Sequence, residues 1–189
     1  MSRGAPDSVV YREGLFTPAE AAACTGLSPA MQRNWRQAEH LPPRTTGVAL
    51  FRPYDLAVIR LMVVLRDVGL GPALSRPVAE AAAPSVVWLA LVDHPQTWTV
   101  AGPPEEAEAY RRRLEKIGDR HLRDMAGLTG RAFAYGVAQS GTVQFFSEID
   151  GETFNDEDEV ESVIKLRAVA ARIAREAIQP LFTINMPAL

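Results

Sequence analysis

Thr17-Pro18-Ala19-Glu20-Ala21-Ala22-Ala23-Cys24-Thr25-Gly26-Leu27-Ser28-Pro29-Ala30-Met31 is the stretch that decides how the first half of this chain folds. It uses one device twice: a hydroxyl residue able to cap a helix, then a proline whose fixed φ suits the first helical position. Thr17 is followed three residues on by Glu20, which completes a capping box. A first helix is expected over Pro18–Cys24. A second runs from Pro29 to about Glu39, where Leu41-Pro42-Pro43 stops it. Only Thr25-Gly26-Leu27 lies between the helix and the next cap, a turn that needs the positive φ or close approach a glycine allows. Two short helices so joined form a helix-turn-helix pattern, which an ordinary helical hairpin would share.

The residues after Pro43 favour the helix-turn-helix. Arg44-Thr45-Thr46-Gly47-Val48-Ala49-Leu50-Phe51-Arg52 reads as a small β-hairpin with Gly47 near its tip. Pro53 then opens another helix, with Leu56, Ile59, Met62, Val63 and Leu65 at helical spacing and Gly69 and Gly71 closing it. Pro72 to Ala83 is a further helical segment, interrupted or restarted at Ser75-Arg76-Pro77. Helix, turn, helix, hairpin wing and helix make a winged module. The expected organisation is therefore a flexible lead-in over 1–13, a mainly α winged helix-turn-helix domain over 14–84, and a second domain over 85–189.

At Pro84-Ser85 the texture changes. Val86–Val92 and Thr97–Val100 read as strands around the turn Asp93-His94-Pro95-Gln96. Glu105–Ile117 reads as a charged helix. Arg131–Ala138 and Thr142–Glu148 form a hairpin across Gln139-Ser140-Gly141. Asn155 caps a long helix over 156–177, and Leu181–Asn185 is a last strand. This succession predicts an α+β domain. The last helix carries Asp156-Glu157-Asp158-Glu159 at its start and Arg167, Arg172 and Arg175 toward its end, which suits the helix dipole. Its stripe Val163, Leu166, Ala170, Ile173 and Ala177, with Val169 and Ile178 beside it, must be buried on its own sheet or against a second copy.

The chain has 189 residues, 47% hydrophobic and 23% charged, an ordinary mixture for a folded, water-exposed protein. No apolar run approaches the roughly 20 residues that span a bilayer, and no signal peptide opens the sequence. A cytoplasmic location without membrane contact is expected. The lone Cys24 permits neither an internal disulfide nor a cysteine-pair metal site, and reads as a small buried hydrophobe. The net charge of −3 hides an asymmetry: residues 1–85 hold nine Arg against seven acids, a net of +2, and the remainder carries −5. Five arginines fall within 28–60 against Glu39 and Asp55. Local positive charge of this kind serves phosphate binding even in an acidic chain.

Residues 16–71 resemble the DNA-binding domain of the MerR family of bacterial transcription regulators. The resemblance rests on Phe16-Thr17-Pro18-Ala19-Glu20-Ala21-Ala22, Thr25-Gly26-Leu27-Ser28, Arg33-Asn34-Trp35, Leu41-Pro42-Pro43, Gly47-Val48-Ala49-Leu50-Phe51, Asp55-Leu56 and Leu65-Arg66-Asp67-Val68-Gly69-Leu70. It implies a winged module on double-stranded DNA, a homodimer, and RNA polymerase or a small-molecule effector as further partners. The chain departs from the family at Ala30 and Ala49, where basic residues are usual, at Gln32, where an apolar residue is usual, and at Arg36, where an acid is usual. Many family members also dimerise through a long helix directly after the winged module, where strands are expected here.

A recognition helix lies in the major groove with its early residues near base edges. Ser28, Arg33, Asn34 and Arg36 are its candidates, because Arg and Asn can pair bidentately with guanine and adenine edges. Met31, Trp35 and Ala38 would share the inward stripe. Arg44, Thr45, Thr46 and Arg52 flank the wing and would reach phosphates, or stand as solvated loop residues.

No catalytic, cofactor or metal pattern stands beside these. His40, His94 and His121 are scattered, no glycine-rich phosphate loop follows a strand, and His121 with Asp124 reads as a surface pair. The aromatics Trp88, Trp98, Phe133, Tyr135, Phe145 and Phe146 fall on expected strands and read as the second core, with an effector pocket as the alternative. Three functions fit: a sequence-specific transcription regulator, an excisionase-like or phage-packaging-type DNA-architectural protein, and a protein-interaction module.

Overall fold

Both capping devices act as their residue types require. In the computed structural model, which describes residues 10–42, 47, 49–117, 119–139, 142–148 and 162–185, helix α1 spans Pro18–Thr25 and α2 spans Pro29–Gln37. The Thr17 backbone N–H donates to Glu20 Oε2 at 2.6 Å, and the Ser28 hydroxyl accepts from the Met31 N–H at 3.3 Å. Gly26 between them has φ 78°, the left-handed conformation that lets α1 end there and the chain turn.

Helix α3, Pro53–Asp67, starts where the Asp55 carboxylate accepts from the Arg52 N–H at 2.8 Å. It buries Leu56, Ala57, Val58, Ile59, Leu61, Met62, Val63 and Leu65, so it is enclosed on nearly every side. The next helix corrects an expectation. Helix α4 runs without a break from Pro72 to Asp93, through Ser75-Arg76-Pro77 and on through Val86–Val92, where a strand is expected from sequence. A short apolar run does not disclose its own period. Here Ala79, Ala82, Ala83, Val86, Leu89 and Ala90 lie at helical spacing and are buried against α3 and the later helices. The helix thus crosses the position expected as the domain boundary, and one contiguous core joins residues from both halves of the chain.

Two prolines, Pro77 and Pro84, lie inside α4. A proline within a helix has no N–H for the carbonyl four residues back. For Pro84 that carbonyl is Glu80, and the Tyr54 hydroxyl of α3 donates to it at 3.2 Å. Tyr54 therefore supplies the donor that Pro84 lacks and ties α3 to α4 at that level.

Beyond a single 3-10 turn at Pro95–Thr97 come β2 (Trp98–Ala101), α5 (Pro104–Ile117), α6 (Asp119–Ala126), β3 (Tyr135–Gln139), β4 (Thr142–Phe146), β5 (Ser162–Lys165), α7 (Leu166–Glu176) and β6 (Phe182–Asn185). Residues 10–13, expected within a flexible lead-in, form β1 (Val10–Glu13). Strand β6 lies between antiparallel β1 and parallel β2, while β3 lies between β4 and β5, antiparallel to both. Gly14 leaves β1 against the returning chain: a Cβ there would sit 2.6 Å from the Pro180 oxygen. The described residues hold seven α-helices and two three-stranded sheets, a mixed α/β fold.

The hairpin expected across 139–141 is present as β3–β4, and the last strand as β6. The helix expected over 156–177 is shorter. Its Asn155 cap and acidic start lie outside the described residues, and Ser162–Lys165 pairs with β3 as a strand that exposes Val163 and buries Ile164. α7 then buries Leu166, Val169, Ala170, Ile173 and Ala174 against α4, α1 and α3. The aromatics do not form one strand-borne cluster: Trp88 lies on α4, Trp98 opens β2, and Phe133 precedes β3 with its ring 5.6 Å from that of Phe145. No helix among the described residues is long and apolar enough to cross a membrane.

Tyr54→Phe should lower stability by about 0.5–1.5 kcal/mol, the net value of one hydrogen bond. In a Pro84→Ala background, where the substituted residue supplies its own N–H, the same change should cost close to nothing. A urea-unfolding double-mutant cycle measures this, and equal costs in the two backgrounds would disprove the pairing.

Candidate nucleic-acid interface

Helix α2 presents an outward face because only two of its residues, Gln32 and Trp35, are buried. Trp35 is buried, and so is Gln32, whose amide nitrogen donates to the Pro18 and Leu27 carbonyls at 2.9 Å each. The expected inward stripe of Met31, Trp35 and Ala38 is corrected accordingly: Met31 and Ala38 are exposed. Gln32 does the inward work because it can satisfy carbonyls at the start of α1 and in the turn, which an apolar side chain could not. Ala30, Arg33, Asn34 and Gln37 are all exposed, at the i, i+3, i+4, i+7 spacing that shares one helix face. Ser28 is exposed at the head of that helix.

The far end of α2 is held by other elements. Glu39 adopts φ 60°, and the His40 and Leu41 N–H groups return to the Trp35 carbonyl at 2.8 and 3.2 Å. Arg76 of α4 donates to the Glu39 carbonyl at 3.1 Å while pairing with Glu80 at 2.8 Å. Arg36 is half-buried: its Nε donates to the Pro42 carbonyl at 3.1 Å and its guanidinium lies 5.7 Å from the centre of the Phe51 ring. A side chain so engaged positions the chain between α2 and Phe51. That role is not visible in sequence, because nothing local links residue 36 to residue 51.

Of the expected wing, residues 43–46 and 48 lie outside the described set, and with them Arg44, Thr45 and Thr46. Ala49 and Leu50 are not in a strand. Phe51 instead makes a two-way antiparallel bridge with Phe16, both N–H···O distances being 2.9 Å. Arg52 precedes α3 with its side chain 66% exposed and 3.4 Å from the Glu13 carboxylate. The structure thus brings Ser28, Arg33 and Asn34 together on α2, turns Arg36 toward Phe51, and places Arg52 at the head of α3.

Elsewhere among the described residues the chemistry is sparse. His121 and Asp124 lie on α6, and the backbone carbonyl of Asp124 accepts from the Tyr11 hydroxyl at 3.4 Å. A groove of about 490 Å³ is lined by residues including Tyr11, Glu13, Arg52, Tyr54, Asp124 and Phe182. Cys24 is fully buried, and burial first, then the charges of Glu176 and Glu20, push its thiol up to about 11. Comparison of the chain with protein-family models, with curated proteins and with solved structures found no match in any of the three.

The Cys24 environment sets a pH dependence. Its thiol stays protonated in the folded chain and ionises near 9 once unfolded, so the unfolded state binds fewer protons above that pH. The contribution is fully present below pH 9 and is lost as pH rises through about 11. Cys24→Ala should flatten the decline of stability over that window. Iodoacetamide at pH 8 should label Cys24 only after denaturant is added, and rapid labelling of the folded chain would refute the assignment.

Proposed function

We propose that this chain is a sequence-specific regulator that binds double-stranded DNA, with α1 and α2 as a helix-turn-helix and α2 in the major groove. The observation that carries the reading is the outward face of α2. Ala30, Arg33, Asn34 and Gln37 project together with no acid among them, from a helix whose buried residues are Gln32 and Trp35. Arg and Asn are the side chains that pair bidentately with purine edges, and a small residue near the helix start permits close approach to the groove. Ser28 and the exposed start of α2 are suited to a backbone phosphate. The stretch through Phe51 serves as the wing and Arg52 as a phosphate contact. Its Phe16 bridge and the Arg36 stack would fix the wing's base relative to α2. The MerR resemblance of residues 16–71 supports the same placement and adds a promoter as the kind of site bound.

The protein is proposed to act as a homodimer on two half-sites about one helical turn, roughly 34 Å, apart. Because α4 runs through residue 85, the assembly is to be tested on the full chain: sedimentation equilibrium should give twice the monomer mass, and a monomer at micromolar concentration would remove the dimer from the proposal.

Arg33 is the residue to test on DNA. Fragments selected from genomic DNA supply the cognate duplex, and a scrambled one serves as reference. As a phosphate contact, Arg33→Ala should weaken binding to both alike and reduce the salt slope by about 1. As a guanine contact it should cost about 1–3 kcal/mol on the cognate duplex and relax preference at one base pair. The phosphate outcome is expected, since more than half of protein–DNA hydrogen bonds go to the backbone. Unchanged affinity for both duplexes in a folded variant would show that α2 is not the DNA-facing helix.

A further inference from the structure

Helices α1, α3 and α7 meet at the turn that precedes α2, and two arginines converge there. Arg60 of α3 and Arg172 of α7 each bring a terminal guanidinium nitrogen within 4 Å of the point that a Cβ on Gly26 would occupy, at 3.5 and 3.8 Å. Arg60 Nη1 donates to the Thr25 carbonyl at 3.2 Å, the ordinary service of a cation to the end of a helix. That accounts for one guanidinium, while the Nε of the second, Arg172, has no hydrogen-bond partner among the described residues. Both Nε atoms are buried with no hydrogen-bond acceptor among the described residues.

The nearby acids are engaged elsewhere. Asp67 receives two hydrogen bonds from Arg66, at 2.7 and 3.1 Å. Glu176 pairs with Arg175 at 3.0 Å, and Glu20 accepts from the Thr17 N–H at 2.6 Å. Burial, and then the charge of Arg172, hold the Arg60 guanidinium below its ordinary value, against a smaller opposing effect of the Asp67 carboxylate. Two cations drawn partly out of water beside each other, with neither paired to a carboxylate among the described residues, leave a deficit of negative charge that a bound anion would relieve.

We propose that Arg60 and Arg172 form an oxyanion site over Gly26, shaped for a phosphate group. Gly26, in the left-handed conformation at φ 78°, puts no side chain between the turn and the two guanidiniums. Planar guanidiniums match the paired oxygens of a phosphate, and two of them can share one group. The site lies two residues before Ser28, so a DNA backbone phosphate beside the start of α2 is one source of the group. Free inorganic phosphate or a phosphorylated metabolite is the other. The DNA source rests on the function proposed above, whereas the oxyanion site itself does not.

The test uses the full chain in two arms. In the first, melting temperatures are compared in sodium phosphate and in sodium chloride of equal ionic strength and pH. Phosphate strengthens burial in every protein, so the signal is the excess in wild type over the Arg60→Gln/Arg172→Gln variant. At about ten times the dissociation constant that excess should be roughly 3–6 °C. Arg60→Lys and Arg172→Lys, which keep charge and lose the planar fork, should retain part of it, and they carry the test if the glutamine variant does not fold. An equal rise in all proteins would overturn the site.

In the second arm, salt titrations on duplex DNA identify the source. A slope reduced by about 1 in the double variant assigns the site to a DNA phosphate, and an unchanged slope beside a positive first arm assigns it to a free phosphate. If the wild-type chain binds no duplex at all, the regulatory reading falls and the thermal comparison still decides the site.

Discussion

The burial of α3 against α4 is the constraint on which the other elements depend. α3 is apolar around almost its whole circumference, so it can exist only if enclosed. α4 buries the small residues Ser75, Ala79, Ala82 and Ala83 and then the larger Val86, Leu89 and Leu91 among α3, α6 and α7. α7 and α6 pack on α4, and α1 packs on α3 and α7. The outward helix α2 touches little of this core. Its orientation comes from the buried Trp35 and a few polar ties: Gln32 to the Pro18 and Leu27 carbonyls and Arg76 to the Glu39 carbonyl. A rigid interior thus carries a lightly anchored helix.

Local signals are legible where chemistry is local. Thr17-Pro18, Ser28-Pro29 and Gly26 mark two helix starts and the turn between them, because caps and positive φ involve neighbours in sequence. The β3–β4 pair is legible from its turn, and β6 from its alternating pattern. Val86–Val92 misleads because a run of apolar residues fits a buried strand as well as a buried helix. The deciding factors are the helix already under way from Pro72 and the packing it meets, and neither is written in those seven residues. Ser162–Lys165 misleads for the converse reason: its strand exists because β3 is there to pair with it. In the candidate interface, the exposure of Arg33 and Asn34 follows from helical spacing, while the turning in of Gln32 and Arg36 depends on groups that lie off the helix itself.

Several arginines in this molecule hold backbone carbonyl groups. Arg36 serves Pro42, Arg60 serves Thr25, Arg76 serves Glu39, Arg111 serves Pro95 and Arg123 serves Gly130. Each carbonyl lies in a loop, a turn or at a helix end, where no backbone N–H is at hand. A count of basic residues along the sequence therefore overstates the guanidinium donors left for a partner. The five arginines within residues 28–60 look like one electrostatic footprint, yet Arg36 and Arg60 are engaged with the protein's own backbone. Of those five, Arg33 and Arg52 are exposed, at α2 and at the head of α3.

The sheet β1–β6–β2 has a consequence for how the molecule comes into being. Its middle strand, Phe182–Asn185, is the last of the described elements, while one of its edges, Val10–Glu13, is the first. On a ribosome the first strand emerges without its partner and waits while every other element is made. At about 5–20 residues per second that delay is on the order of ten seconds or more. Until then Val10 and Tyr11 lack the strand they pair with, and the Gly14 N–H lacks the Leu181 carbonyl it meets in the finished fold. The sheet that ties β1 to β6 thus closes only once residue 185 has left the ribosome, after every helix and the β4–β3–β5 sheet have been made.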